Sequence, residues 1–103
     1  MATSGAVAAR ARLDATQLKK LLWWVDRLKL NVFAGDQIPK DRIPSSLGAR
    51  HGISVPLENA WRFELPGAFR AIYTIVSVEG RKPSVLVLEI LSHKEYDRLF
   101  GYR

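Results

Sequence analysis

Three stretches of strand-forming residues, separated only by turn signals, fill most of the second half of this chain. Ala60-Trp61-Arg62-Phe63-Glu64-Leu65 alternates strictly. A strand with this pattern puts Trp61, Phe63 and Leu65 on one face and Arg62 and Glu64 on the other. Pro66-Gly67 marks a turn. Phe69 to Val78 and Ser84 to Leu91 are rich in β-branched residues and almost continuously apolar, the pattern of strands covered on both faces. Glu79-Gly80-Arg81-Lys82-Pro83 connects them. Links this short join antiparallel neighbours, so these residues predict a β-meander.

Two helices flank it. Ser92-His93-Lys94-Glu95 is a capping box, with Leu91 and Tyr96 as its hydrophobic staple. It predicts a short helix from about His93 to Phe100 that stops at Gly101. Near the start of the chain, Asp14 and Gln17 form a second box, flanked by Leu13 and Leu18. Leu18, Leu21, Leu22, Val25 and Leu28 then fall on one helical stripe, with Lys19, Lys20, Asp26 and Arg27 opposite. Trp24 sits at the edge of the stripe. Trp23 projects from the polar face between Lys19 and Arg27, either under a neighbouring loop or as an exposed anchor for a partner.

Between helix and meander, Asn31 to Asn59 carries Gly35, Pro39, Pro44, Gly48, Gly52 and Pro56. So many breakers exclude a long element, and a short helical turn near Ser45 to Arg50 is all the pattern supports. A connection of this length in a small domain is usually functional or conceals an element. The expected architecture is α+β: an N-terminal helix, or helical hairpin, packed on a small antiparallel meander with a short C-terminal helix. Residues 1–12 are expected to be a flexible or partly helical leader, and 13–103 a single domain.

The 103 residues allow one core, and with 48% of them apolar the chain does not read as disordered. There is no cysteine, so disulfide frameworks and thiolate metal sites are excluded. No apolar run is long enough for a signal peptide or a membrane span, which leads to the expectation of a cytoplasmic protein without membrane contact. Sixteen Lys and Arg against ten Asp and Glu give a net charge of +6. Such a chain attracts polyanions and meets them faster.

The order of these pieces resembles the RelE/ParE superfamily of toxins. Trp61-Arg62 precedes a turn, and Phe69-Arg70-Ala71-Ile72-Tyr73-Thr74-Ile75 is similar to that family's aromatic-Arg-x-Ile/Val-Tyr-x-Ile/Val strand. Ser92-His93-Lys94-Glu95-Tyr96 is similar to its histidine–basic–tyrosine ending, and Gly35-Asp36-Gln37-Ile38-Pro39-Lys40-Asp41 to the loop before its first meander strand. The likeness runs from residue 18 to 103. It implies a toxin of a type II toxin–antitoxin system, held by a cognate antitoxin protein. In the RelE-like branch such toxins cleave mRNA on the ribosome without a metal. In the ParE-like branch they inhibit DNA gyrase. A ribosome- or RNA-binding module that keeps the fold without nuclease activity is a third reading.

Metal-free RNA cleavage requires a base for the 2′-hydroxyl, a cation for the charge building on phosphorus, and an acid for the departing 5′-oxygen. The resemblance makes Arg70 the phosphate cation, a bidentate clamp charged at any working pH. A cross-strand ion pair with Glu64 is its structural alternative. Arg62 is a candidate RNA contact. Glu64 falls where some members of that family carry lysine, which implies either a general base or the mark of weakened cleavage. His93 and Lys94 lie at a helix start, which favours phosphate, and an imidazole there can act as acid or base. Tyr96 is expected to be the staple and a core residue, leaving Tyr102 as the terminal-tyrosine candidate for catalysis. Lys40, Asp41 and Arg42 are outer candidates for RNA contact or proton transfer. His51 has no identifiable partner. No cofactor or metal is expected, because the two histidines are separated and the carboxylates unclustered. Trp23, Lys19 and Arg27 are the expected antitoxin contacts.

Overall fold

A computed structural model of the chain describes residues 7, 10–49, 57–77 and 79–101. Of the leader, Val7 and residues 10–12 fall within these bounds. Helix α1 spans Ala15–Leu30 and opens on the expected box: the Asp14 side chain accepts from the Gln17 amide, and the Gln17 side chain accepts from the Asp14 amide. The breaker-rich stretch holds a two-residue strand β1 (Asp36–Gln37), a 3-10 turn (Lys40–Arg42) and helix α2 (Ser45–Ala49). Strands β2 (Trp61–Leu65), β3 (Phe69–Val76) and β4 (Ser84–Ser92) form the meander, and α3 (His93–Phe100) ends on Gly101 in the left-handed conformation. The sheet is antiparallel in the order β1-β2-β3-β4.

The fold is therefore α+β, as the sequence predicts, with one unforeseen strand. Residues 36 and 37 pair with Arg62 and Trp61, and the Ile38 amide continues the ladder to the Ala60 carbonyl at 2.9 Å. This short edge strand carries Asp36, whose charge discourages pairing with another chain.

The continuous apolar character of β3 and β4 follows from burial on both faces. On one face, Leu21 and Leu28 of α1 pack against Phe63, Leu65, Ala71, Tyr73 and Ile90. Trp24 joins them, its ring stacked on Phe63 at 5.0 Å and its Nε1–H donated to the Glu64 carbonyl at 3.2 Å. On the other face, Ile72, Leu88 and Leu91 pack with Ile38, Leu47, Ala60 and Tyr96. The β3–β4 register shifts between Ile72, opposite Glu89, and Tyr73, opposite Val87. This bulge leaves Leu88 as the extra residue and buries it completely. Leu22, placed on the apolar stripe by the helical period, is instead 47% exposed at the stripe's margin.

The hairpin between β2 and β3 is held at its tip. Gly67 (φ 74°) and Ala68 (φ 59°) both lie in the left-handed region, which costs a non-glycine residue about 1–2 kcal/mol. Two contacts offset that cost. The Gln17 side-chain amide donates to the Pro66 carbonyl at 2.9 Å, and the His93 backbone amide donates to the Ala68 carbonyl at 2.7 Å. The turn is thereby pinned to the start of α1 and to the start of α3.

Tyr73 ties the irregular segment to the sheet. Its hydroxyl donates to the Val32 carbonyl at 2.9 Å and accepts from the Gly35 amide at 3.1 Å. The approach is so close that a Cβ at Gly35 would lie 2.7 Å from that hydroxyl and 2.8 Å from the Arg62 carbonyl. Burial pushes the Tyr73 phenol above its ordinary pKa; the Gly35 amide opposes this and Asp36 adds to it. The unfolded chain therefore loses this proton first as the pH rises. The contribution of Tyr73 is intact below the ordinary tyrosine range and declines above it. Tyr73→Phe strands a half-buried carbonyl and amide, and should lower the unfolding free energy in urea by about 1–3 kcal/mol at neutral pH while softening the alkaline decline. A loss below about 0.5 kcal/mol would show that this anchor is dispensable.

Candidate functional site

Strand alternation puts Arg62 and Glu64 of β2 on the sheet face away from α1, and the pairing register sets Arg70 of β3 directly across from Glu64. Arg70 Nε donates to Glu64 Oε1 at 2.8 Å. His93, the first residue of α3, brings Nε2 to within 3.1 Å of Glu64 Oε2. One carboxylate thus receives a guanidinium on one oxygen and an imidazole on the other. Its side chain is 53% exposed and that of His93 41%, so the cluster is open to a ligand.

Beneath it lies Tyr96, fully buried. Its hydroxyl accepts from Arg62 Nη1 at 2.8 Å, and the Arg70 guanidinium lies 4.6 Å from its ring centroid. Phe100, one turn on, stacks on the same ring at 4.2 Å. Partial burial works against the charge of Arg62. The Tyr96 hydroxyl, Asp36 and Glu64 together outweigh it, and the net effect raises the Arg62 pKa above its already high ordinary value. The capping box of α3 fixes the helix that carries His93 and Tyr96. Ser92 accepts from the Glu95 amide, and the Ser92 amide donates to the Glu95 carboxylate, lowering its pKa against the opposing effect of burial.

The structure therefore brings Arg62, Glu64, Arg70 and His93 together. Arg70 is the cross-strand ion-pair partner of Glu64, its structural alternative, and its guanidinium belongs to this open cluster. As a partly exposed ion pair the contact stabilises the fold by under about 1 kcal/mol. Chemically, a carboxylate that accepts from an imidazole N–H fixes the tautomer and orientation of the ring. With Nε2 facing Glu64, Nδ1 is the nitrogen left for other partners.

Other candidates lie elsewhere. Lys94 is exposed on the first turn of α3. Lys40 and Arg42 stand in the exposed 3-10 turn, and Arg42 lines a separate pocket with Arg98 and Phe100. Tyr102 and His51 fall outside the described residues. Trp23 is 45% exposed and packs edge-on against Trp24 at 5.1 Å. The lysine over its ring is Lys20, at 3.8 Å, where the sequence pattern pointed to Lys19; Arg27 is the second cation, at 5.1 Å. Both lysines are helical neighbours of residue 23, and the side-chain rotamer chooses between them.

Tyr96 has a second role that its sequence does not announce. It is the core residue the staple predicts, yet its hydroxyl and ring also organise both arginines. The available signal was parity, since Arg62 and Arg70 sit on the face that α3 covers. Among the described residues, no group of three His, Cys, Asp or Glu side chains is placed to hold a metal ion. No described helix is long and apolar enough to cross a membrane. Compared with known protein families, with characterised proteins and with solved structures, the chain matches none.

Proposed function

We propose that this protein is an endoribonuclease that cleaves mRNA on the ribosome without a metal, acting in the cytoplasm as the toxin of a type II toxin–antitoxin pair. The observation that carries the proposal is the Glu64 carboxylate shared between Arg70 at 2.8 Å and His93 at 3.1 Å on one open face. These are the three kinds of group that in-line cleavage by a 2′-hydroxyl requires. Glu64 accepts the 2′-hydroxyl proton as that oxygen attacks the adjacent phosphorus. Arg70, with Arg62 behind it, stabilises the charge on the phosphoryl oxygens. Protonated His93 delivers a proton to the departing 5′-oxygen, leaving a 2′,3′-cyclic phosphate and a new 5′-hydroxyl. Lys94, Lys40 and Arg42 supply further phosphate contacts, and the charge of +6 steers the encounter.

The same geometry favours a second reading. Arg70 is neutralised by Glu64, and a cation already paired is a weaker phosphate clamp. A non-catalytic inhibitor of a protein target such as DNA gyrase fits this state.

If the nuclease proposal holds, purified protein added to translating ribosomes cuts mRNA in excess EDTA and leaves cyclic phosphate ends. Arg70→Ala should slow that cutting by about 10²–10³-fold with the melting curve unchanged. Activity lost to EDTA and restored by a divalent ion, or an Arg70→Ala protein that cuts normally, would refute the mechanism.

The antitoxin is expected to be a short acidic protein that docks on α1. Trp23, flanked by Lys20 and Arg27, offers aromatic area ringed by cations, which suits an acidic amphipathic segment. Titration of the purified pair should show Trp23→Ala weakening the complex by about 2 kcal/mol or more, with little change in the melting temperature of the free protein. Unchanged affinity together with a large drop in melting temperature would assign Trp23 to the core and the docking surface elsewhere.

A further inference from the structure

A concavity lies at the far end of α3. It is about 530 Å³ in volume and opens between the 3-10 turn, the start of α2 and the C-terminal turn of α3. Arg42 and Arg98, the hydroxyl-bearing Ser45 and Ser46, and the ring of Phe100 line it, with Asp41 as the acid among the lining residues. Arg98 and both serines are exposed, and Phe100 is half-buried. We infer that this pocket is a subsite for one nucleotide of single-stranded RNA, on the same strand as the nucleotide held at the Glu64–His93 cluster and a short way along it.

The inference rests on the nuclease proposal for its choice of RNA, and on three observations for its place. The first is composition: cations beside an aromatic ring form the usual platform for single-stranded nucleic acid, because every base has a face to stack and every linkage a charge to meet. The second is continuity. Phe100 stacks on Tyr96 at 4.2 Å, and Tyr96 carries Arg62 on its hydroxyl and Arg70 over its ring. The pocket and the cluster thus share one aromatic pair. The third is distance. His93 and Phe100 are the two ends of α3, about 10 Å apart along its axis, a gap that a short oligonucleotide bridges. The volume also suits a nucleotide-sized ligand, for which pockets of roughly 300–1,000 Å³ are usual.

In this arrangement Phe100 receives the base, and Arg98 and Arg42 meet the phosphate with help from the serine hydroxyls. Asp41 gives the subsite a hydrogen-bond acceptor, so bases that carry an exocyclic amine fit better than uracil. The subsite would set which nucleotide flanks the cut, a role separate from the chemistry at Glu64.

The test uses a fluorescein-labelled tetranucleotide with 2′-O-methyl sugars throughout, which cannot be cut by its own 2′-oxygen. Its binding to the full-length protein is followed by anisotropy across a salt series. Phe100→Leu should weaken binding about tenfold. Arg98→Ala should weaken it and lower the slope of log affinity against log salt by about 0.7, with an unchanged melting curve that excludes misfolding. Cleavage of mRNA on translating ribosomes is assayed in parallel with the same proteins. Reduced binding by Arg98→Ala with no cleavage by the wild type would uphold the subsite and refute the nuclease proposal. Wild-type cleavage combined with normal binding and cutting by both variants would overturn the subsite and leave the nuclease standing. Displacement of the probe by a glutamate-rich peptide of equal charge, as effective as by unlabelled RNA, would also overturn it, since the pocket would then be a general anion or protein surface.

Discussion

The register of the β2–β3 hairpin is the constraint on which the rest of this molecule depends. A slip of one residue would send Arg62 and Glu64 into the core beneath α1 and turn Phe63 to the opposite face of the sheet. The register is held at the hairpin tip, where Gly67 and Ala68 take left-handed conformations. Gln17 grips one side of that tip and the His93 amide the other. The second of these bonds also places the His93 side chain, because the same residue that ties α3 to the turn presents its ring to Glu64. Fold and site are set by one junction.

Charge gives the cluster its character. In a chain with six more cations than anions, the acid at the centre of the site faces two arginines and a histidine. Two consequences follow. Glu64 stays oriented while the site is empty, and Arg70 is not free to collect stray anions. On the proposed function, an incoming phosphate would compete for Arg70 and release one carboxylate oxygen of Glu64. The nuclease and inhibitor readings differ on whether that exchange occurs.

Much of this was legible in the sequence because the signals are local. Period-two alternation marks β2, both helices announce themselves through capping boxes, and Gly101 ends the last helix as its position suggests. Strand parity alone places Arg62, Glu64 and Arg70 on a common face. What the sequence withheld depends on contacts between distant residues. Strand β1 is two exposed polar residues and exists only through its partners Trp61 and Arg62. The bulge that buries Leu88 breaks an otherwise regular strand with no residue to mark it. Tyr96 reads as a simple staple until Arg62, far back in the chain, is seen to bond its hydroxyl. The pairing of Arg42 with Arg98 around one pocket required the fold of the breaker-rich segment.

On the proposed function, the Glu64–Arg70–His93 cluster cuts RNA and does not block a protein target. Inducing the protein in a bacterial host, while mapping transcript 5′ ends and measuring plasmid supercoiling in the same culture, tests it most directly. New 5′-hydroxyl ends inside reading frames are expected soon after induction, with supercoiling unchanged. Intact transcripts accompanied by a loss of negative supercoiling would contradict it and identify the protein as an inhibitor of gyrase.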